Sequence, residues 1–253
     1  MSDEVLLERR GRILIVTINR PDARNAVNLA VSRQLADAMD ELDESSDLSV
    51  GILTGAGGNF SAGMDLKAFA AGEIVAIEGR GLGFTERPPA KPLIAAVEGN
   101  ALAGGTEIVL ATDLVVAARD AKFGLPEVKR GLVAGGGGLL RLPDRIPYQK
   151  AVELALTGDT FTAEEGAGYG FVNVVAESGK ALDEAVRLAE RITENGPLAV
   201  AATKRIIAES RTWTDEEKWR KQIELLAPVF MSKDAAEGAK AFAEKRKPNW
   251  TGA

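Results

Sequence analysis

The chain has 253 residues, of which 45% are hydrophobic, and 37 acidic against 31 basic residues leave a net charge of −6. That length is ample for one large core, and with no basic block longer than the terminal EKRK a nucleic-acid partner is not expected. Cysteine and histidine are both absent, which excludes disulfides, thiolate nucleophiles, Ser-His-Asp triads and imidazole metal sites, so no metal ligand set is assigned.

The opening MSDEVLLERR is charged and lacks the apolar core of a signal peptide. No apolar run approaches the ~20 residues of a membrane span. A cytoplasmic location without membrane contact is therefore expected. RILIVTIN (12–19) predicts a strand and AVSRQLADAMDELDESS (30–46) an amphipathic helix. SVGILTGAGGNFSAGMDL (49–66) predicts a short strand, a glycine-rich turn and a helix start, a plan that PLIAAVEGNALAGGTEIVLATD (92–113) repeats. LVVAA (114–118) and AKFGLPE (121–127) predict further strands, the second ended by Pro126. From about Pro147 the pattern is helical, broken by one predicted strand at FVNVV (171–175), and the final polar stretch predicts two helices parted near Ser232. These signals describe an α/β core over residues 1–195 and a helical region over 196–253, packed on that core or on a neighbouring subunit.

FSAGMD and LAGGTE both put a glycine where a strand hands over to a helix. Either glycine alone is explained by tight turning or close packing. Two such turns after two buried strands can each aim one backbone N–H at a shared point, which is an oxyanion hole. GAGGNFSAG lacks the Gly-Lys-Ser/Thr ending of a phosphate-binding P-loop, and no G-x-S-x-G surrounds Ser61. Glu107 follows the second turn, and Glu127 follows Pro126 twenty residues later. Each has an ordinary explanation, a helix-dipole carboxylate and a surface residue at a strand end. Together, in a chain without histidine, they supply an acid and a base whose mutual repulsion separates their pKa values.

FSAGMDL, IAAVEGNALAGGTEIVLATDLVVAA, AKFGLPEVKRGLVAGGGGLLRLP and EGAKAFAEKRKPNW together resemble the enoyl-CoA hydratase (crotonase) family, from LERRGRILIVTINRPDARNAVN to the C-terminus. The resemblance implies a spiral of repeated ββα units with a helical trimerisation region. It implies hydration of an acyl-CoA thioester with no cofactor beyond the CoA of the substrate, and trimers paired into hexamers. The matching oxyanion donors are the amides of Met64 and Gly104. Both hydratase glutamates are present, with Glu127 expected as main proton donor and Glu107 as water-activating base. Gly135 matches a position whose amide borders the water and acyl group. Arg24, Ala62, Asp65, Leu66, Lys67, Phe242 and Lys245 match CoA-contacting positions, the last two often across a subunit boundary. Met64 stands where a smaller residue is commonest and Ala134 where many hydratases have proline. FSAGMDLKAFAAGE and LPEVKRGLV resemble a dehydratase of carnitinyl-CoA type at least as well. An isomerase, dehalogenase or decarboxylase would usually keep one glutamate or none, and a non-catalytic acyl-CoA binder need keep neither.

Overall fold

The computed structural model describes residues 3–253. Strand β1 (Val5–Arg10) turns at Gly11 into β2 (Ile13–Ile18), with which it pairs antiparallel. In the sequence the opening residues show only their charge and no strand pattern. β1 escapes pattern recognition because it is an edge strand with one buried side chain, Val5; the ladder to β2 holds it rather than core burial.

Asn28 caps α1 (Leu29–Glu44) by accepting from Val31 N at 2.8 Å, and α1 buries Val31, Leu35, Met39 and Leu42. Next come β3 (Val50–Gly55), short α2 (Leu66–Ala70), β4 (Leu93–Val97), β5 (Asn100–Leu102) and α3 (Gly104–Leu110). β6 (Leu114–Ala118) and β7 (Lys122–Gly124) precede a 3-10 turn at Pro126–Arg130. The chain continues through α4 (Gly138–Arg145), α5 (Tyr148–Thr157), β8 (Thr160–Thr162), α6 (Ala163–Tyr169) and β9 (Val174–Ala176). It closes with α7 (Ala181–Thr193), α8 (Pro197–Glu209), α9 (Lys218–Phe230) and α10 (Lys233–Ala243).

A six-stranded sheet runs β1-β2-β3-β4-β6-β9, parallel from β2 onward, and a three-stranded sheet runs β5-β7-β8. β4 is buried along its whole length, and β3 and β6 nearly so, as their unbroken apolar runs require of parallel strands covered on both faces. α7 packs on β3, β4 and β6, while α1 packs on β1 and β2. After β3, β4 and β6 the chain crosses to the second layer, at Ser61, β5 and β7 respectively. That repeat is the spiral, and it returns the chain to one edge on every turn.

The predicted strand over 171–175 begins later than expected. Phe171 and Val172 instead enter a cluster in which Phe123 stacks on Phe161 at 5.4 Å and meets Phe171 edge-on at 5.1 Å. β8 was not foreseen, being three residues held by β7. Ser232 caps α10 through Ala235 N at 3.0 Å, at the expected break between the last helices. Lys204 on α8 reaches Asp113 at 2.7 Å and the carbonyls of Pro89 and Lys91, which ties the helical region to the core. Phe123→Ala is expected to lower the unfolding free energy by about 3–5 kcal/mol, measured by urea denaturation.

Candidate active site

The site begins with Ser61, which is wholly buried. Its N–H donates to Asn100 O at 3.0 Å, and its carbonyl accepts from Leu102 N at 3.0 Å. The turn after β3 is thereby zipped alongside β5, beside the second glycine turn. Ser61 Oγ donates to Asn25 O and accepts from Gly63 N at 3.1 Å. Asn25, also wholly buried, donates to Ala56 O at 2.8 Å and Asn59 O at 2.7 Å. Asn25 carries no periodic signal in the sequence, and Ser61 is weighed there only as a nucleophile, not as the residue that joins the two turns.

Glycine is needed where these backbones approach. A Cβ on Gly105 would lie 2.3 Å from Ser61 O, and one on Gly63 would lie 2.8 Å from Gly104 N. Ala103, with φ 51° and ψ −125°, holds a conformation that costs about 1–3 kcal/mol for a residue with a side chain. The bond from Ala103 N to Gly124 O, 2.9 Å, fixes it.

Met64 and Gly104, the two candidate donors, lie side by side. In the bridge between Val27 and Met64, Val27 N donates to Gly63 O and Val27 O accepts from Asp65 N, both at 2.8 Å. Met64 N–H therefore points away from Val27. Gly104 opens α3, where a first-turn amide has no intrahelical partner. A Cβ on Gly104 would lie 3.3 Å from Met64 N, so the two backbones approach closely here.

Glu107 stands in the first turn of α3 and is 3% exposed. Its Oε1 accepts from Gly138 N at 2.9 Å, and Gly136 N is a second donor. Burial pushes its carboxyl above the ordinary range, against the two amides and the Arg141 cation. Glu127 lies in the 3-10 turn, half-buried, with Oε2 shielded from solvent and unpartnered among the described residues. Burial raises this carboxyl as well, and the charge of Glu107 raises it further. Glu127 thus lies within electrostatic reach of Glu107.

The remaining candidates divide. Ala62 is half-buried and donates its N–H to Arg24 O at 2.9 Å. Asp65 is committed locally: Oδ1 caps α2 through Lys67 N and Ala68 N, and Oδ2 accepts from both terminal nitrogens of Arg20 at 3.0 Å. Leu66, Arg24 and Lys67 are exposed beside the first turn, and neither cation forms a salt bridge among the described residues. Gly135 is exposed, whereas Gly136 and Gly138 are the members of the glycine run that hold Glu107. Phe242 is 88% exposed on α10, which packs on α9, and Lys245 just beyond that helix is exposed as well.

The model of the family described as enoyl-CoA hydratase/isomerase matches residues 8–253. The chain belongs to that family. A crystal structure of enoyl-CoA hydratase EchA1 from Mycobacterium marinum superposes with a TM-score of 0.98 at 71% identity, covering 100% of both chains. Enoyl-CoA hydratase EchA19 of Mycobacterium tuberculosis is 45% identical, over 98% of this chain and 96% of that protein. Carnitinyl-CoA dehydratase of Salmonella arizonae is 42% identical over the full length of both. The family and its α/β spiral are as the sequence motifs implied. Among the described residues no group of three or more acidic side chains is disposed to hold a metal ion, and no helix is long and apolar enough to cross a membrane.

Two measurements probe this site of the hydratase/isomerase fold. Gly105→Ala is expected to lose stability by about 1–3 kcal/mol, read by thermal unfolding, because its methyl overlaps a backbone oxygen. The folded state holds the Glu127 proton more tightly than the unfolded chain, so this group's contribution to stability is complete below 4.5 and fades as pH rises through the folded pKa. Glu127→Gln removes that loss. Its stability relative to wild type should grow from pH 4.5 to neutrality, measured by urea unfolding at both.

Proposed function

We propose that the chain is an enoyl-CoA hydratase, catalysing the reversible syn addition of water to the 2,3-double bond of an enoyl-CoA thioester. The observation that supports the reading is the close approach of the Met64 and Gly104 backbones beside buried Glu107, whose charge raises the Glu127 carboxyl. The thioester oxygen accepts from Met64 N–H and Gly104 N–H, which strengthen their hold as charge moves onto it in the enolate. Water sits between Glu107 and Glu127.

The surroundings of the carboxylates support a division of labour. Two amides and a cation favour the ionised form of Glu107, so it takes the proton from the water that attacks C3. Glu127 has an unpartnered buried oxygen and an anionic neighbour, so it holds a proton and delivers it to C2. The products are the 3-hydroxyacyl thioester and a glutamate pair restored by exchanging one proton. No cofactor enters these steps.

CoA phosphates meet Arg24 and Lys67 at the mouth, and Phe242 and Lys245 of a neighbouring subunit complete the handle. Asp65 acts by capping α2 rather than by touching CoA, while Ala62, Leu66 and Gly135 line the entrance. Trp219, Ile223, Phe230, Met231 and Phe242 leave an apolar surface on α9 and α10 exposed, from 57% to 88%. This supports residues 196–253 as the trimerisation region of a cytoplasmic trimer or hexamer, and light scattering is expected to return one of those masses rather than a monomer. The full-length likeness to a carnitinyl-CoA dehydratase supports a second reading, dehydration of a polar hydroxyacyl-CoA.

Hydration of crotonyl-CoA, followed by loss of enoyl absorbance, tests the first reading. Glu107→Gln and Glu127→Gln should each lower turnover by roughly 10²–10⁴-fold while CoA binding survives. Two variants that match wild type would end the acid–base scheme. A panel of enoyl- and polar hydroxyacyl-CoAs separates hydratase from dehydratase preference.

A further inference from the structure

Arg141 is a half-buried cation that the two-glutamate scheme leaves unused. It sits in α4, a few residues beyond the amides that hold Glu107, and forms no salt bridge among the described residues. A guanidinium withdrawn from water this way costs free energy unless it is put to use. Its head fills the space where Gly137 would carry a Cβ, over the glycine run, and it donates to the carbonyl of Thr85.

Thr85 ends an irregular segment, 81–85, that is buried throughout. The segment is closed locally by Leu82 N donating to Thr85 Oγ1 at 3.0 Å. Leu82 in turn reaches both halves of the site. Its Cδ1 would stand 3.0 Å from a Cβ on Gly104 and 3.2 Å from one on Gly136. One methyl group therefore touches the oxyanion turn and the wall that orients Glu107. The bond from Arg141 to Thr85 is what joins this segment to α4.

We propose that Arg141 is a positioning residue, which locks segment 81–85 onto the glycine wall so that Leu82, the Gly104 amide and Glu107 keep a fixed spacing. This rests on the hydratase reading. A planar, multiply donating head is required: a lysine ammonium keeps the charge but cannot cover Gly137 and reach Thr85 together. The same cation favours ionised Glu107. The charged groups facing Glu107 are Arg141 on α4 and Glu127 on the 3-10 turn, and Arg145 and Glu107 act on Arg141. Loss of the cation should therefore raise the pH at which Glu107 ionises.

The experiment pairs kinetics on crotonyl-CoA with hydrogen–deuterium exchange of the substrate-free protein, for wild type, Arg141→Met and Arg141→Lys. Arg141→Met should lower kcat by at least about 10-fold with KM within about threefold, move the acid limb of kcat/KM to higher pH, and speed exchange across 81–85. Arg141→Lys should return the acid limb to its wild-type position while kcat stays low and exchange stays fast. Wild-type exchange across 81–85 in Arg141→Met overturns the proposal whatever kcat does. If Arg141→Met does not fold, wild-type exchange in Arg141→Lys overturns it equally. Should wild type prove inert on every enoyl-CoA tried, the hydratase reading fails, and exchange alone still decides the role of Arg141.

Discussion

Everything at the site hangs on one backbone pairing, the zipper between Ser61 and β5. The turn after β3 and the turn after β5 are separated by some forty residues of chain, yet their backbones run side by side. Side chains could hold two such turns together only loosely. The reciprocal bonds of Ser61 with Asn100 and Leu102, both 3.0 Å, hold them in register, and burial makes those bonds costly to break. Gly105 is glycine because nothing larger fits under the Ser61 carbonyl. Preorganisation of this kind is what makes backbone donors effective, since they need not move when charge develops.

The same economy governs the carboxylates. Glu107 is almost wholly removed from solvent and would be costly there without compensation. Amides from the glycine run supply it, and glycines are needed because side chains at 136 or 138 would strike the carboxylate they serve. Glu127 receives less compensation and keeps an unpartnered oxygen. Two like residues are thus placed in unlike surroundings. An acid and a base can arise this way from a chain with no histidine.

Stability is spent at the site and recovered around it. Strained Ala103, the buried carboxylates and the half-buried Arg141 all oppose folding, whereas the continuous parallel strands and the Phe123–Phe161–Phe171 cluster favour it. The clasp of the C-terminal tail adds to the latter: Thr251 and Gly252 donate to Asp234, and Trp250 donates to Glu194 O at 2.8 Å. Trp219, Ile223 and Phe230 on α9 and Phe242 on α10 stay exposed and add nothing to that core.

Taken alone, the sequence determined the family, the strand–turn–helix repeat, the absence of imidazole and thiol chemistry, and the two glutamates and two glycine turns as the residues to watch. These were legible because they lie in contiguous motifs or follow from composition. Tertiary structure decided what depends on distance between remote segments: the edge strand β1 and short β8, which pairing creates rather than propensity, and the roles of Asn25, Ser61, Leu82 and Arg141. It also separated Gly136 and Gly138, which hold Glu107, from exposed Gly135, and left Phe242 and Lys245 exposed. A run of four glycines looks alike along its length, and only the side chain that folds against it tells its members apart.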